Sequence, residues 1–171
     1  MKATKVAGNV YVIEDATPGF SGGNIGVSVG PDGVLIVDSK FAPLAPKVEA
    51  ALATVTDKPV RFVLNTHHHP DHTDGNRVFG PKSTVIAHEN ARKRIMADTA
   101  RPTAADALPV ITFEDGLTLH LNGEDIRAVH FPKSHTDTDV VAFFTASNVV
   151  HLGDNYFSGF FPYIDLKSGG S

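Results

Sequence analysis

Positions 67–72 read His67-His68-His69-Pro70-Asp71-His72, directly after the apolar run Val60-Arg61-Phe62-Val63-Leu64. Few features restrict a fold so tightly. A short apolar run of this kind reads as a buried strand. The chain must therefore bring a strand out of its core into a loop that gathers four imidazoles and a carboxylate. Residues two apart along an extended segment point the same way, so His67 and His69 project together. The turn after Pro70 can aim Asp71 and His72 at a neighbouring point, and His68 is expected to point away. This N/O donor set suits zinc best, and iron or manganese less well. Spacing alone leaves three readings open: a catalytic site with a position free for water, a closed structural site, or a solvated histidine loop.

Composition narrows the chemistry. The 171 residues include nine histidines and no cysteine. Thiolate ligands, disulfides and a cysteine nucleophile are excluded, so nitrogen and oxygen must do any ligating. Fifteen Lys and Arg stand against nineteen Asp and Glu, for a formal charge of −4 with no basic block. A nucleic-acid partner therefore has no electrostatic footprint. No apolar run approaches the roughly 18 residues of a membrane span, and Met1 to Lys5 leads into a polar turn instead of an apolar leader.

The rest of the chain reads as one mixed α/β domain over 1–171. Strands are expected at Val10–Ile13, Asn24–Val29 and Val34–Val37, with Pro31-Asp32-Gly33 turning the second into the third. Val48, Ala51, Leu52 and Val55 recur at helical spacing, with Pro46 suited to the first turn. Beyond the histidine loop come a strand at 84–87, a polar helix from Glu89 to about Asp98, and a loop over 101–109. Strands are then expected at 110–113, 117–121, 126–130, 140–144 and 149–152, with Asn122-Gly123 as a hairpin turn.

At this point the residues resemble a known family. Thr66-His67-x-His69-x-Asp71-His72-x-x-Gly75-Asn76 is similar to the signature loop of the metallo-β-lactamase superfamily. Val34 to Asp38 resembles the strand ending in that family's supporting aspartate, and Phe131-Pro132-Lys133-Ser134-His135-Thr136-Asp137 the segment with its third histidine. His151-Leu152-Gly153-Asp154 resembles the segment with its bridging aspartate. The resemblance implies an αββα sandwich and a zinc-dependent hydrolase working on a small-molecule acyl substrate. It implies that His67, His69 and His135 hold one ion, that Asp71 and His72 hold a second, and that Asp154 bridges them. Asp71 would also be catalytic, orienting the attacking water and moving its proton. Asp38 is the expected hydrogen-bond partner for a ligand histidine. His88 is expected to cap the helix after it or to support a ligand side chain, not to bind metal, and His120, His130 and His151 to be packed or solvent-facing.

Two departures qualify the resemblance. An aspartate at Asp154 is more like the glyoxalase, lactonase and thioesterase branches than the β-lactamases, which place Cys or Ser there. The family also continues into a helix, a strand and a last metal-binding histidine, none of which follows Ser171. The closing elements of the sandwich and one ligand of the second site are therefore expected to be missing. A fragment, a longer gene product, or a homo-oligomer that completes the fold would each account for this. The tail resembles a group of generic bacterial metallo-hydrolases that are usually exported. The β-lactam, lactone and thioester bonds remain open as substrates. A non-hydrolytic metal-binding or relay protein is the alternative, and a single-iron redox variant a third reading. Substrate contacts are expected from loops 16–23 and 153–162, although Tyr156, Phe157, Phe160 and Phe161 read more readily as packing.

Overall fold

A computed structural model describes residues 1–17 and 21–171. Two sheets lie face to face. The larger has seven strands in sequence order: β1 (Lys2–Ala7), β2 (Val10–Glu14), β3 (Ile25–Gly30), β4 (Gly33–Val37), β5 (Val60–Leu64), β6 (Thr84–His88) and β7 (Ile111–Phe113). The first four pair antiparallel, and β4 through β7 pair parallel. The smaller, antiparallel sheet holds β8 (Gly116–Leu121), β9 (Glu124–Phe131), β10 (Asp139–Phe144) and β11 (Val149–His151), in the order β11-β10-β9-β8. The helices are α1 (Ala45–Ala53), α2 (Pro70–Thr73), α3 (Asn76–Phe79) and α4 (Glu89–Ala97). Among the described residues no helix is long and apolar enough to cross a membrane.

The period-2 geometry of β4 explains its unbroken apolar sequence. Val34 and Ile36 share a core with Val48 and Leu52 of α1. Leu35 and Val37 face the other way, into a second core with Ile126, Ala128, Val140 and Ala142 of the smaller sheet. Each fully buried aliphatic side chain contributes about 1.5–3 kcal/mol, so a strand buried on both faces holds both layers. The hairpin turns form where expected. Asn122 and Gly123 both take positive φ, 54° and 81°, as a two-residue turn matched to strand twist requires.

Two expectations change. The first residues are not a polar lead-in but β1, an edge strand paired with β2 from Lys2↔Glu14 to Ala7↔Val10. Its Lys-Ala-Thr-Lys sequence suits an edge, where polar side chains discourage further pairing, and it therefore carries no apolar period. Tyr156, Phe160 and Phe161 do not pack either: they are 63%, 79% and 98% exposed. Of the expected sandwich, α1, α3 and α4 cover the seven-stranded sheet. On the far face of the smaller sheet Phe131, Phe143 and Val150 remain partly open to solvent.

All the chemistry-bearing segments leave the sheets at one end. Asp38 follows β4, the histidine loop follows β5, His135 lies between β9 and β10, and Asp154 follows β11. The carboxyl ends of parallel strands are the usual crevice for a site in α/β sheets. A backbone bond spans the layers there: Val140 N–H donates to Thr66 O at 2.7 Å. Gly75 allows a second close approach, because a Cβ there would sit 2.1 Å from the Ser39 carbonyl oxygen.

Candidate metal centre

Pro70 shapes the loop. It opens α2 at a position where its missing N–H costs nothing, and the helical turn swings Asp71 and His72 away from the extended His67–His69 segment. A polar clamp underneath fixes the loop. Asn76 Nδ2 donates to Asn65 Oδ1 at 2.8 Å, and Ser39 Oγ donates to His72 O and Asn76 Oδ1. The Asn76 of the sequence motif thus ties down the two ends of the ligand loop.

Three ring nitrogens converge first. His67 Nε2 lies 3.1 Å from His69 Nδ1, which lies 2.9 Å from His135 Nε2. Those separations approach the roughly 3.3 Å edge of a tetrahedron of nitrogens about 2.0–2.1 Å from a zinc ion. A second group lies alongside. His72 Nε2 is 3.2 Å from Asp154 Oδ1 and 3.6 Å from Asp71 Oδ2. The other Asp154 oxygen, Oδ2, faces the first group, 3.7 Å from His135 Nε2. Asp154 therefore stands between the two groups with one oxygen toward each.

The outward nitrogen of each ring is held by an acceptor. His72 Nδ1 donates to Asp38 Oδ2 at 2.7 Å, His69 Nε2 to Asp165 Oδ2 at 2.9 Å, and His135 Nδ1 to the Tyr163 carbonyl at 2.6 Å. His67 Nδ1 lies 3.1 Å from Thr66 Oγ1, whose proton goes to Asp38 Oδ2. These tautomers follow from the hydrogen-bond network. They leave the inward nitrogens of His67, His69 and His135 with their lone pairs free for a cation and aim His72 Nε2 at the second group, the usual arrangement of ligand histidines. The clearest mark of fit is His72 Nε2, a buried nitrogen with no hydrogen-bond partner.

Electrostatics agree. Burial, then the neighbouring imidazoles, push His67 well below the ordinary histidine range, so it stays neutral and able to ligate. Burial alone would lower His72 too, but the Asp38 and Asp154 carboxylates outweigh it and raise the ring well above that range. A cation at Nε2 would satisfy the same carboxylates in the proton's place. Asp154 itself is held low: burial would raise it, and His72 and His135 more than offset that.

The structure thus brings His67, His69, His72, His135, Asp71 and Asp154 together at one end of the fold. His68 turns away, toward Thr138 Oγ1 and Ser168 Oγ. His88 caps α4 by accepting from Asn90 N and stacks on His130, with ring centroids 3.6 Å apart. His120 pairs with Asp125 at the surface, and His151 reaches Asn24 O. Of the expected substrate loops, residues 18–20 lie outside the described residues; Gly22, Gly23, Gly153, Asp154 and 156–158 line a groove of about 540 Å³ that reaches Asp71 and His72.

Two supporting residues escape sequence reasoning. Asp165 lies 96 positions from the His69 it holds, and no local pattern links the two. Lys40 is fully buried at φ 56° beside the site. Nothing in its surroundings, a helix-bound Phe-Ala-Pro sequence, marks it in advance.

Comparison with known proteins bears on this arrangement. The family profile described as the metallo-beta-lactamase superfamily matches residues 18–171. A hydroxyacylglutathione hydrolase of Prochlorococcus marinus strain MIT 9312 is 33% identical over 104 residues, covering 58% of this chain and 37% of that protein. Its counterpart from strain MIT 9301 is 28% identical over 145 residues, covering 79% of this chain and 54% of that protein. A native metallo-β-lactamase from Legionella gormanii superposes with a TM-score of 0.70 at 19% identity, over 84% of this chain and 58% of that one. The chain spans between about a third and a half of the length of these two curated relatives.

Proposed function

The chain belongs to the metallo-β-lactamase superfamily, and from that premise we propose that it is a zinc-dependent hydrolase of acyl bonds, with thioesters ahead of lactones and β-lactams. The observation that carries the reading is the set of four histidines whose outward nitrogens are all engaged and whose inward nitrogens face two adjoining points, with Asp154 between them. His67, His69 and His135 would hold one ion. His72, Asp71 and Asp154 would hold another, with Asp154 shared. Ions bound there supply Lewis acidity and a water acidic enough to ionise near neutral pH.

The chain's own groups do the rest. Asp38, Thr66, Asp165 and the Tyr163 carbonyl fix the imidazoles, so the site is arranged before substrate arrives and pays no reorganisation during reaction. Asp71, partly exposed beside His72 Nε2, orients the water and takes its proton on a carboxylate oxygen. In thioester hydrolysis the water oxygen joins the acyl carbon, the C–S bond breaks, and that proton ends on the departing sulfur. The groove beside Asp71 has apolar walls that include Val10, Val12, Phe144 and Leu152, which suits the apolar part of an acyl substrate. The preference for thioesters rests on the hydroxyacylglutathione hydrolases among the relatives and on an aspartate at position 154.

The test is turnover by the zinc-loaded chain of a hydroxyacylglutathione thioester, an aryl lactone and a chromogenic β-lactam, side by side. The thioester is expected to be cleaved fastest, and Asp71→Asn to slow it by at least about 100-fold. Full zinc loading with no hydrolysis of any of the three would refute the hydrolase reading. Unchanged hydrolysis in Asp71→Asn would refute the role of Asp71.

A further inference from the structure

One buried cation lies beside the second ligand group and takes no part in the chemistry above. Lys40 leaves β4 two residues after Asp38, and both adopt left-handed backbone, at φ 56° and 70°. Side-chain-bearing residues pay for that conformation, which persists only where the surroundings demand it. Here the two side chains diverge to different tasks. Asp38 reaches His72 Nδ1. Lys40 Nζ reaches Gly23 O at 2.6 Å, Ser21 Oγ at 3.0 Å, Gly22 O at 3.3 Å and Ser21 O at 3.4 Å. Ser21 Oγ in turn donates to Asp15 Oδ2 at 2.6 Å.

The backbone gathered by Lys40 is pressed against the ligands. A Cβ added to Gly23 would lie 2.7 Å from His72 Cε1, and one added to Gly22 would lie 2.7 Å from Asp71 O and 2.9 Å from Asp71 Cβ. Cε1 sits between the two ring nitrogens of His72. The ring is thus tethered at Nδ1 by Asp38 and stopped at Cε1 by Gly23, and these together set where Nε2 points. Among the described residues of this loop, Gly22 and Gly23 meet Asp71 and His72, whereas the outward nitrogens of His69 and His135 are held by Asp165 and the Tyr163 carbonyl.

We propose that Lys40 is a positioning residue for the second ligand group, holding the Ser21–Gly23 backbone as a wall against Asp71 and His72. The proposal rests on the two-site reading given above. One three-residue segment, Asp38 to Lys40, then controls His72 from both sides. Gly22 and Gly23, the carbonyls Lys40 holds, abut Asp71 and His72, so the consequence of losing Lys40 is selective for the second group.

Stepwise zinc titration of the metal-free protein by calorimetry tests this, on wild type and Lys40→Met, with thermal melts of both metal-free forms. The expected result is a first zinc equivalent bound as in wild type and a second bound at least tenfold more weakly. Lys40→Gln, which keeps an N–H donor for the carbonyls, should fall between the two, and it carries the same test if the methionine variant does not fold. Equal second-equivalent affinity in variant and wild type overturns the proposal. So does an equal loss at both equivalents, the mark of a general structural defect. A wild type that binds only one equivalent overturns the two-site reading itself, a result distinct from either.

Discussion

Removing the Asp38 carboxylate should be among the most costly single changes in this protein. Asp38 is fully buried and accepts three hydrogen bonds, from Thr66 N at 2.7 Å, Thr66 Oγ1 at 2.8 Å and His72 Nδ1 at 2.7 Å. Asp38→Ala strands all three donors. A buried group left unpaired costs about 1–3 kcal/mol, more when charged. Some of this is recovered if water enters the vacated space, so the expected loss is about 3–5 kcal/mol, typical of breaking a buried pair. At roughly 2–4 °C per kcal/mol for a domain of this size, the melting temperature should fall by about 6–20 °C. Urea unfolding of the metal-free chain, followed by circular dichroism, measures it directly.

Asp38→Asn separates stability from ligation. Its amide keeps an acceptor for Thr66 N but turns a donor toward His72 Nδ1. The ring then accepts at Nδ1 and carries its proton on Nε2, the nitrogen aimed at the second ligand group. Stability should drop less than in the alanine variant, while zinc affinity at the second equivalent falls about 10–100-fold. A loss under about 1 kcal/mol in Asp38→Ala, or unchanged zinc binding in Asp38→Asn, would refute the account of Asp38 as the anchor of His72.

Two further outcomes follow from the same geometry. Asp165→Ala removes the acceptor of His69 Nε2 and the cap that receives Lys167 N and Ser168 N. Zinc affinity at the first equivalent should fall about 10–100-fold with about 1 kcal/mol of stability, and a calorimetric titration showing only the second equivalent affected would contradict the assignment. His88 gives a pH dependence: burial, then the stacked His130, hold it below the ordinary histidine range. The folded chain keeps it neutral while the unfolded chain takes up a proton near pH 6.5. Its contribution is therefore full above about pH 6.5 and is lost as the pH falls below that value. The urea midpoint of metal-free wild type should drop between about pH 7.5 and pH 5.5 more steeply than that of His88→Gln, and parallel profiles would show that His88 does not contribute.

Much of this protein is legible along the chain because its signals are local. The buried strands announce themselves as short apolar runs, Asn122-Gly123 as a turn that needs two positive φ values, and His67, His69, Asp71 and His72 as donors within six residues. Periodicity and turn chemistry act between near neighbours, so they survive in one dimension. β1 is not legible because an edge strand needs little more than backbone pairing with β2, and of its side chains only the small Ala3 leans on the core.

The sequence alone therefore determined the layer pattern and the ligand types. Tertiary structure decided which nitrogen of each ring faces inward, since that depends on Asp38, Asp165 and Tyr163 arriving from 28 to 96 positions away. It also decided that a lysine with no local signature becomes a buried tie between β4 and the Ser21–Gly23 backbone. Hydrogen bonds and burial act across space, and only the folded sheets bring such distant partners within about 3 Å.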